Sequence, residues 1–113
     1  MRYTAHIDSP ANSRIRELLD IQRGRGSGRI WFAEGLRTVR TACTSGAGVR
    51  ELFVTEAAAE RHGHEIDAIA RACRKVYSVS DRVAKRLSDT VTSQGIFATV
   101  SYSLKMPREL HLP

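Results

Sequence analysis

Apolar side chains recur at helical spacing in four stretches of the chain, and each stretch predicts one helix. The opening helix is predicted over residues 9–22, with Ser9 or Asn12 as its cap. Its buried stripe consists of Ile15, Leu18 and Leu19. The other three helices are predicted from Leu36 to a stop at Gly46, over residues 56–74, and over residues 80–87 after a Ser80 cap.

Short apolar runs between these helices predict strands over residues 30–33, 50–54, 75–79 and 96–102. Helices that alternate with short strands are typical of layered α/β domains. The pattern therefore predicts a three-layer α/β/α sandwich with a mixed sheet of about four strands. One domain is expected over residues 1–102, with residues 103–113 as a linker or tail.

Positive charge is concentrated in the front half of the chain, which as a whole carries a formal net charge of +6. Residues 1–50 contain nine basic and four acidic side chains, and every basic residue there is arginine. Residues 51–113 contain nine basic and eight acidic side chains. Because the arginine fork pairs with phosphate through two hydrogen bonds, this distribution favours one electropositive face for a nucleic acid. A merely solubilising surface is the alternative.

No constellation in the sequence predicts a catalytic site, a metal site or a bound cofactor. His62, His64 and Cys73 lack the close, paired spacing of zinc ligands, so a solvent-facing histidine pair is the better interpretation. Cys43 and Cys73 fall on apolar helical stripes, where they are expected to pack as free thiols in a reducing cytoplasm. No apolar run is long enough for a membrane span, and the N-terminal residues do not predict a secretory leader.

The polar stretch over residues 88–95 allows two interpretations. Ser, Thr and Asp side chains between a helix and a strand often satisfy nearby backbone groups in turns. The alternative is a contact surface for RNA or for a second domain.

Four segments occur in an order that matches a known family. They are SPANSRI at residues 9–15, WFAEG at 31–35, ELFVTE at 51–56, and VSD at 79–81 followed by LSDTVTSQGI at 87–96. Together they resemble the N-terminal substrate-binding domain of the SpoU-type (TrmH-family) RNA 2′-O-ribose methyltransferases. Ser93 stands where that family usually has proline, so a looser turn within the same fold is expected.

The resemblance implies an L30e/L7Ae-like sandwich that binds rRNA or tRNA. In the family, a SPOUT domain of the same polypeptide follows, binds S-adenosylmethionine, carries the catalytic residues and forms a homodimer. The motifs of that domain are absent here. This chain alone is therefore expected to bind RNA without methyl transfer, while the parent protein would be a cytoplasmic RNA methyltransferase.

Seven arginines are the candidate RNA contacts, and they would position the RNA rather than perform chemistry on it. Arg14 and Arg16 are expected to face solvent from the opening helix, and Arg37 and Arg40 share one face of the second helix. The other three lie in a glycine-rich segment that predicts a flexible loop; they are Arg23, Arg25 and Arg29.

The loop arginines are expected to contribute more to RNA affinity than Arg71, Arg74 and Lys75 at the end of the third predicted helix. Two other functions stay open. A free-standing L30e/L7Ae-like ribonucleoprotein component would bind RNA without a methylation partner, and a protein-interaction module would use the basic surface for solubility.

Overall fold

A mixed sheet of five strands forms the middle of three layers. A computed structural model of the chain describes residues 2–25, 29–45, 47–88 and 93–101. The strands are β1 (Ala5–Ile7), β2 (Ile30–Glu34), β3 (Gly48–Val54), β4 (Lys75–Val79) and β5 (Ile96–Ser101). They lie in the order β1-β4-β3-β5-β2, where β4 is parallel to β1 and β3, and β5 is antiparallel to β3 and β2.

Helices cover both faces of the sheet, which confirms the three-layer sandwich. On one face lie α1 (Ser13–Gln22) and α5 (Asp81–Leu87). On the other face lie α2 (Leu36–Thr44), α3 (Glu56–Arg61) and α4 (Gly63–Ala70). Each helix–sheet interface has its own apolar cluster, and each large side chain that is fully buried there stabilises the fold by about 1.5–3 kcal/mol.

The predicted stripe of α1 is buried against the sheet. Ile15, Leu18 and Leu19 pack with Phe53 and Phe97 in the cluster between the sheet and the pair α1 and α5. The helix begins at Ser13 rather than at residue 9, because Asn12 is the cap: its Oδ1 accepts a 2.8 Å hydrogen bond from the Arg14 amide. The caps predicted at Asn12 and Ser80 are both confirmed.

The predicted number of strands and the extent of one predicted helix were wrong. Strand β1 was not predicted, because only Ile7 of its three residues is buried, so it has no alternating pattern to read. It brings the sheet to five strands rather than about four. The helix predicted over residues 56–74 is two helices, which meet at His62 and Gly63 and end at Ala70.

A β-bulge at Arg50 sets the two faces of β3. Val49 pairs with Val100 and Glu51 pairs with Thr99, so Arg50 is an extra residue without an opposite partner. A bulge of this kind interrupts the alternation of side chains and re-aims one of them. Val49 therefore packs in the cluster under α2, while Glu51 lies on the face covered by α1. Gly46, Tyr102 and the linker predicted over residues 103–113 lie outside the described residues.

Candidate nucleic-acid interface

Two of the motif segments meet at the end of the sheet where β2 passes into α2. The Ser88 hydroxyl donates a 2.5 Å hydrogen bond to Glu34 Oε2, across 54 residues of sequence. The Leu36 amide donates a 2.8 Å hydrogen bond to Gln94 Oε1, so the Gln94 side chain caps the start of α2. The side chain that caps a helix usually comes from the residue just before it; here it comes from a distant segment.

The adjoining residues fix the start of α3. The Thr55 amide donates to the Gly95 carbonyl at 3.0 Å, and Thr55 Oγ1 in turn accepts from the Ala58 amide at 3.1 Å. Gly95 has φ +75, and a Cβ built on it would lie 2.3 Å from Thr55 Oγ1, so only glycine fits. Ser93, in place of the family's proline, accepts a 2.9 Å hydrogen bond from the Gly95 amide. Of the two interpretations of this stretch, the described residues favour turn chemistry; residues 89–92 lie outside them.

The two arginines of α1 lie on different flanks of the helix, because residues two apart do not face each other. Arg14 is half-buried: its Nη1 lies 3.1 Å from Glu51 Oε2, and its guanidinium carbon is 5.7 Å from the centre of the Tyr77 ring. The expectation that Arg14 faces solvent was therefore wrong, since it bridges α1 and the sheet. Arg16 is exposed, as predicted.

Helix α1 ends in a Schellman motif, so the glycine-rich segment is ordered at its start. The Gly24 amide donates to the Ile21 carbonyl at 3.0 Å, the Arg25 amide donates to the Asp20 carbonyl at 2.8 Å, and Gly24 has φ +78. Residues 23–25, which were predicted as the start of a loop, therefore complete the end of α1. The side chains of Arg23 and Arg25 are exposed. Residues 26–28 lie outside the described part of the chain.

Arg29 and Trp31 stand at the beginning of β2, which is an edge strand of the sheet. Both are exposed, and the Trp31 side chain keeps 48% of its surface accessible. A tryptophan with so much accessible surface is unusual, since its large ring is highly buried on average. We refer to β2 together with Arg23, Arg25 and Arg29 as the β2 edge.

Arg37 and Arg40 lie on the exposed surface of α2. Together with Thr41, Thr44 and Gln94 they line a shallow groove of about 500 Å³. The groove reaches the capped start of α2, where the helix dipole adds partial positive charge to that of the two guanidinium groups. This surface has the charge and the donors to contact phosphate groups.

The seven predicted arginines do not share one face. Helices α1 and α2 lie on opposite faces of the sheet, yet both contact β2. The arginines of α1 and those of α2 therefore lie on opposite sides of the sheet, on helices that contact β2.

A second basic groove was missed by sequence reasoning. Its cationic side chains are Arg14, Arg50, Arg74 and Lys75, around a volume of about 310 Å³ between α1 and the sheet. Arg74 and Lys75 were expected to lie away from the site. They lie beside Arg14 because β4 is parallel to β3, with Lys75 opposite Glu51. The spacing of these residues in the sequence does not predict the groove, because the groove depends on the order of the strands in the sheet.

Comparison with known proteins places the chain in a family. The model of the MRM3-like substrate binding domain matches residues 12–98, more than three quarters of the chain. The chain belongs to this family. The match includes α1, the WFAEG segment and the Gln94–Gly95 turn, and so covers most of the segments on which the resemblance rested.

Solved structures of methyltransferases contain a region with the same fold as this MRM3-like domain. A chain described as an RNA 2′-O ribose methyltransferase matches with a TM-score of 0.70 and 27% identity, over 94% of this chain and 41% of that chain. An rRNA methyltransferase from Sinorhizobium meliloti matches with a TM-score of 0.68 and 16% identity, over 87% of this chain and 37% of that chain. The structure of an AdoMet-bound rRNA methyltransferase from the same organism matches with a TM-score of 0.67 and 18% identity, over 87% of this chain and 36% of that chain. The chain thus spans about two fifths of the length of these relatives. No curated protein sequence matches it significantly.

The thiols of the MRM3-like domain are poor nucleophiles. Cys43 and Cys73 are free, and both pack against the cluster under α2 and α4. Burial raises the pKa of Cys43, and burial together with neighbouring Cys43 raises the pKa of Cys73 to about 12. Since the thiolate is the reactive form, these cysteines serve packing, as predicted.

Within the described ranges, no group of three or more His, Cys, Asp or Glu side chains could hold a metal ion. His62 lies between α3 and α4 and is half-buried, whereas His64 is exposed. Among the described helices, none has the length and apolar content needed to cross a membrane.

Proposed function

We propose that this domain binds RNA and positions it for a 2′-O-ribose methyltransferase domain of the same protein. The observation that carries the proposal is the match over 94% of this chain, at 27% identity, to a chain described as an RNA 2′-O ribose methyltransferase. The family description as a substrate binding domain supports the same role. A free-standing ribonucleoprotein component is not favoured, because the solved relatives are described as methyltransferases.

The methyl donor and the chemistry belong to the other domain in this proposal. The AdoMet-bound form of a structural relative supports S-adenosylmethionine as the donor. That domain would be of the SPOUT type, in a homodimeric, cytoplasmic rRNA or tRNA methyltransferase. Two free cysteines suit a reducing compartment such as the cytoplasm.

The β2 edge is the RNA surface that the geometry supports best. Exposed Arg29 and Trp31 stand at the beginning of β2, and exposed Arg23 and Arg25 follow α1, which contacts β2. Arg16 and the α2 arginines lie on the two helices that contact β2. Arginine forks bind phosphate, and an aromatic ring stacks on a base, which is the usual combination for unpaired RNA. Because the backbone of Arg23 and Arg25 is fixed by the Schellman motif, less ordering entropy opposes binding.

RNA binding can be tested directly on the 113-residue chain. A fluorescein-labelled stem-loop RNA is titrated at about 150 mM KCl and followed by anisotropy, with a DNA of the same sequence as the control. We expect saturable RNA binding that is tighter than DNA binding, because the 2′-hydroxyl and A-form geometry distinguish RNA. Absence of RNA binding, together with a folded chain by circular dichroism, would contradict the proposal.

The same chain should not bind the methyl donor. Calorimetry with S-adenosylmethionine is expected to give no saturable heat, and incubation with RNA and radiolabelled donor no methyl transfer. Saturable micromolar binding would show that the cofactor site lies in this domain, and it would contradict the proposal that the methyl donor binds to the other domain.

A further inference from the structure

The basic groove between α1 and the sheet is built by three features that act together. The bulge at Arg50 adds a residue to β3, and Arg50 lines the groove beside its neighbour Glu51. The Arg74 amide donates a 3.0 Å hydrogen bond to the Arg50 carbonyl, which holds these two arginines next to each other. Lys75 follows in the first position of β4. Bulges occur often beside functional sites because they re-aim a side chain.

Glu51, the half-buried carboxylate of the groove, is occupied from within the fold. Glu51 Oε2 accepts from Arg14 Nη1 at 3.1 Å, and Glu51 Oε1 accepts from Thr99 Oγ1 at 3.3 Å. Thr99 is only 2% exposed, so this part of the floor is closed to solvent. Glu17, the other carboxylate of the groove, lies 4.0 Å from Arg14. Arg14 therefore neutralises carboxylates and is not available to bind a second anion strongly.

Three cations of the groove remain for a ligand. Among the residues that the structure describes, Arg50, Arg74 and Lys75 form no ion pair with a carboxylate. Arg74 and Lys75 are exposed, and Arg50 is half-buried. With four cationic and two acidic side chains, the groove has a formal excess of two positive charges. Like charges held this close repel one another, so a bound anion would relieve the repulsion.

We infer that Arg50, Arg74 and Lys75 bind phosphodiester groups of the RNA, in a groove separate from the α2 arginines. The inference rests on the proposed function, and two of its three residues, Arg74 and Lys75, come from the half of the chain that is nearly neutral overall. The groove is continuous with the β2 edge, because Ile30, the first residue of β2, also lines it. The RNA backbone that passes Arg29 would then enter the groove from that end.

The test compares two double variants that remove the same charge. Arg74→Ser/Lys75→Ser removes the two exposed cations of the groove. Arg71→Ser/Arg86→Ser removes two exposed cations that do not line the groove. The stem-loop RNA is titrated over a KCl series. A lost phosphate contact makes the slope of log K against log salt shallower by about 0.7 to 0.9, so the groove variant should change it by about 1.4 to 1.8. Its affinity near 150 mM KCl should fall roughly tenfold.

The control variant separates a local site from general basicity. It should weaken binding by no more than about twofold, because exposed charges that contact no phosphate are screened by salt. Equal losses from the two variants would overturn the inference while leaving RNA binding intact. If the unaltered chain bound no RNA, the proposed function itself would fail.

A competitor distinguishes phosphate from carboxylate as the ligand. An oligoglutamate peptide of the same charge as the RNA should displace it only at far higher concentration, since phosphates fit the arginine fork and the peptide lacks the RNA backbone spacing. Displacement by the peptide at equal concentration would overturn the assignment to phosphodiesters. It would instead identify the groove as a site for acidic protein segments.

Discussion

The side chain of Gln94 caps helix α2 by accepting a 2.8 Å hydrogen bond at Oε1 from the backbone amide of Leu36, 58 residues earlier in the chain. The family motif around Gln94 is thus part of the scaffold that holds α2, and with it Arg37 and Arg40, against the sheet. A motif that is specific for a family does not have to touch the ligand.

Removal of the Gln94 acceptor should therefore make the folded chain less stable. Gln94→Ala is expected to lower the free energy of unfolding by about 1 kcal/mol, the usual effect of losing a helix cap. Gln94→Glu keeps an acceptor at a helix start, where negative charge is favourable, and should restore most of the loss. Urea unfolding followed by circular dichroism measures both. Equal stability of Gln94→Ala and the unaltered chain would show that the cap is not needed.

Gly95 should tolerate no side chain. Gly95→Ala places a Cβ 2.3 Å from Thr55 Oγ1 at a residue with φ +75, so we expect a loss of about 2–4 kcal/mol. Gly24→Ala is the matched control, because Gly24 has φ +78 but nothing within 4 Å of the added Cβ. The control measures backbone strain alone, at about 1–2 kcal/mol. Similar losses for the two variants would contradict the close packing against Thr55.

The partly buried thiols give a prediction for alkaline pH. The pKa of Cys73 is raised from 9.0 to about 12, mainly by burial, so the folded chain holds this proton where the unfolded chain releases it. Stability should therefore fall as pH rises from about 9 toward 12. Thermal melts between pH 8 and 10.5 should show a weaker decline for Cys73→Ala than for the unaltered chain. An identical decline would mean that Cys73 ionises as readily in the folded state.

Trp31 is the one tryptophan of the sequence, so its fluorescence reports on the β2 edge alone. If a base of bound RNA stacks on the ring, titration with the stem-loop RNA should quench the emission. Trp31→Ala should weaken binding by about 1–3 kcal/mol and Trp31→Phe by much less. Tyr3→Ala is the control, since Tyr3 is the other exposed large aromatic residue in the part of the chain that the structure describes. RNA binding with unchanged emission and full affinity of Trp31→Ala would exclude stacking there.

Local rules predicted most of the helices, since a cap and an apolar stripe lie within a few neighbouring residues. Asn12 and Ser80 act as caps, and the stripe of α1 is buried as expected. Strand β1 was missed because a three-residue strand gains its stability from pairing with β4, which no local pattern shows. The break at His62 was missed because apolar residues continue at helical spacing on both sides of it.

The site was harder to predict, because its parts meet only through strand order. Arg14 has the same local pattern as Arg16, yet Glu51, 37 residues later, draws it inward. Arg74 and Lys75 come from a stretch with nearly balanced charge and gain their importance from the parallel pairing of β3 and β4. Charge counts along a sequence find an excess of arginine. They do not tell which arginines are already paired.

The most direct test of an RNA surface at the β2 edge is the salt dependence of RNA binding by two triple variants. Arg23, Arg25 and Arg29 are changed together to alanine, and the exposed Arg61, Arg71 and Arg86 serve as the control triple. The proposed surface predicts a steep slope of log K against log salt for the unaltered chain, shallower by up to about two in the loop triple. The control should change it far less. Equal losses in both triples, with both still folded, would contradict a localised RNA surface.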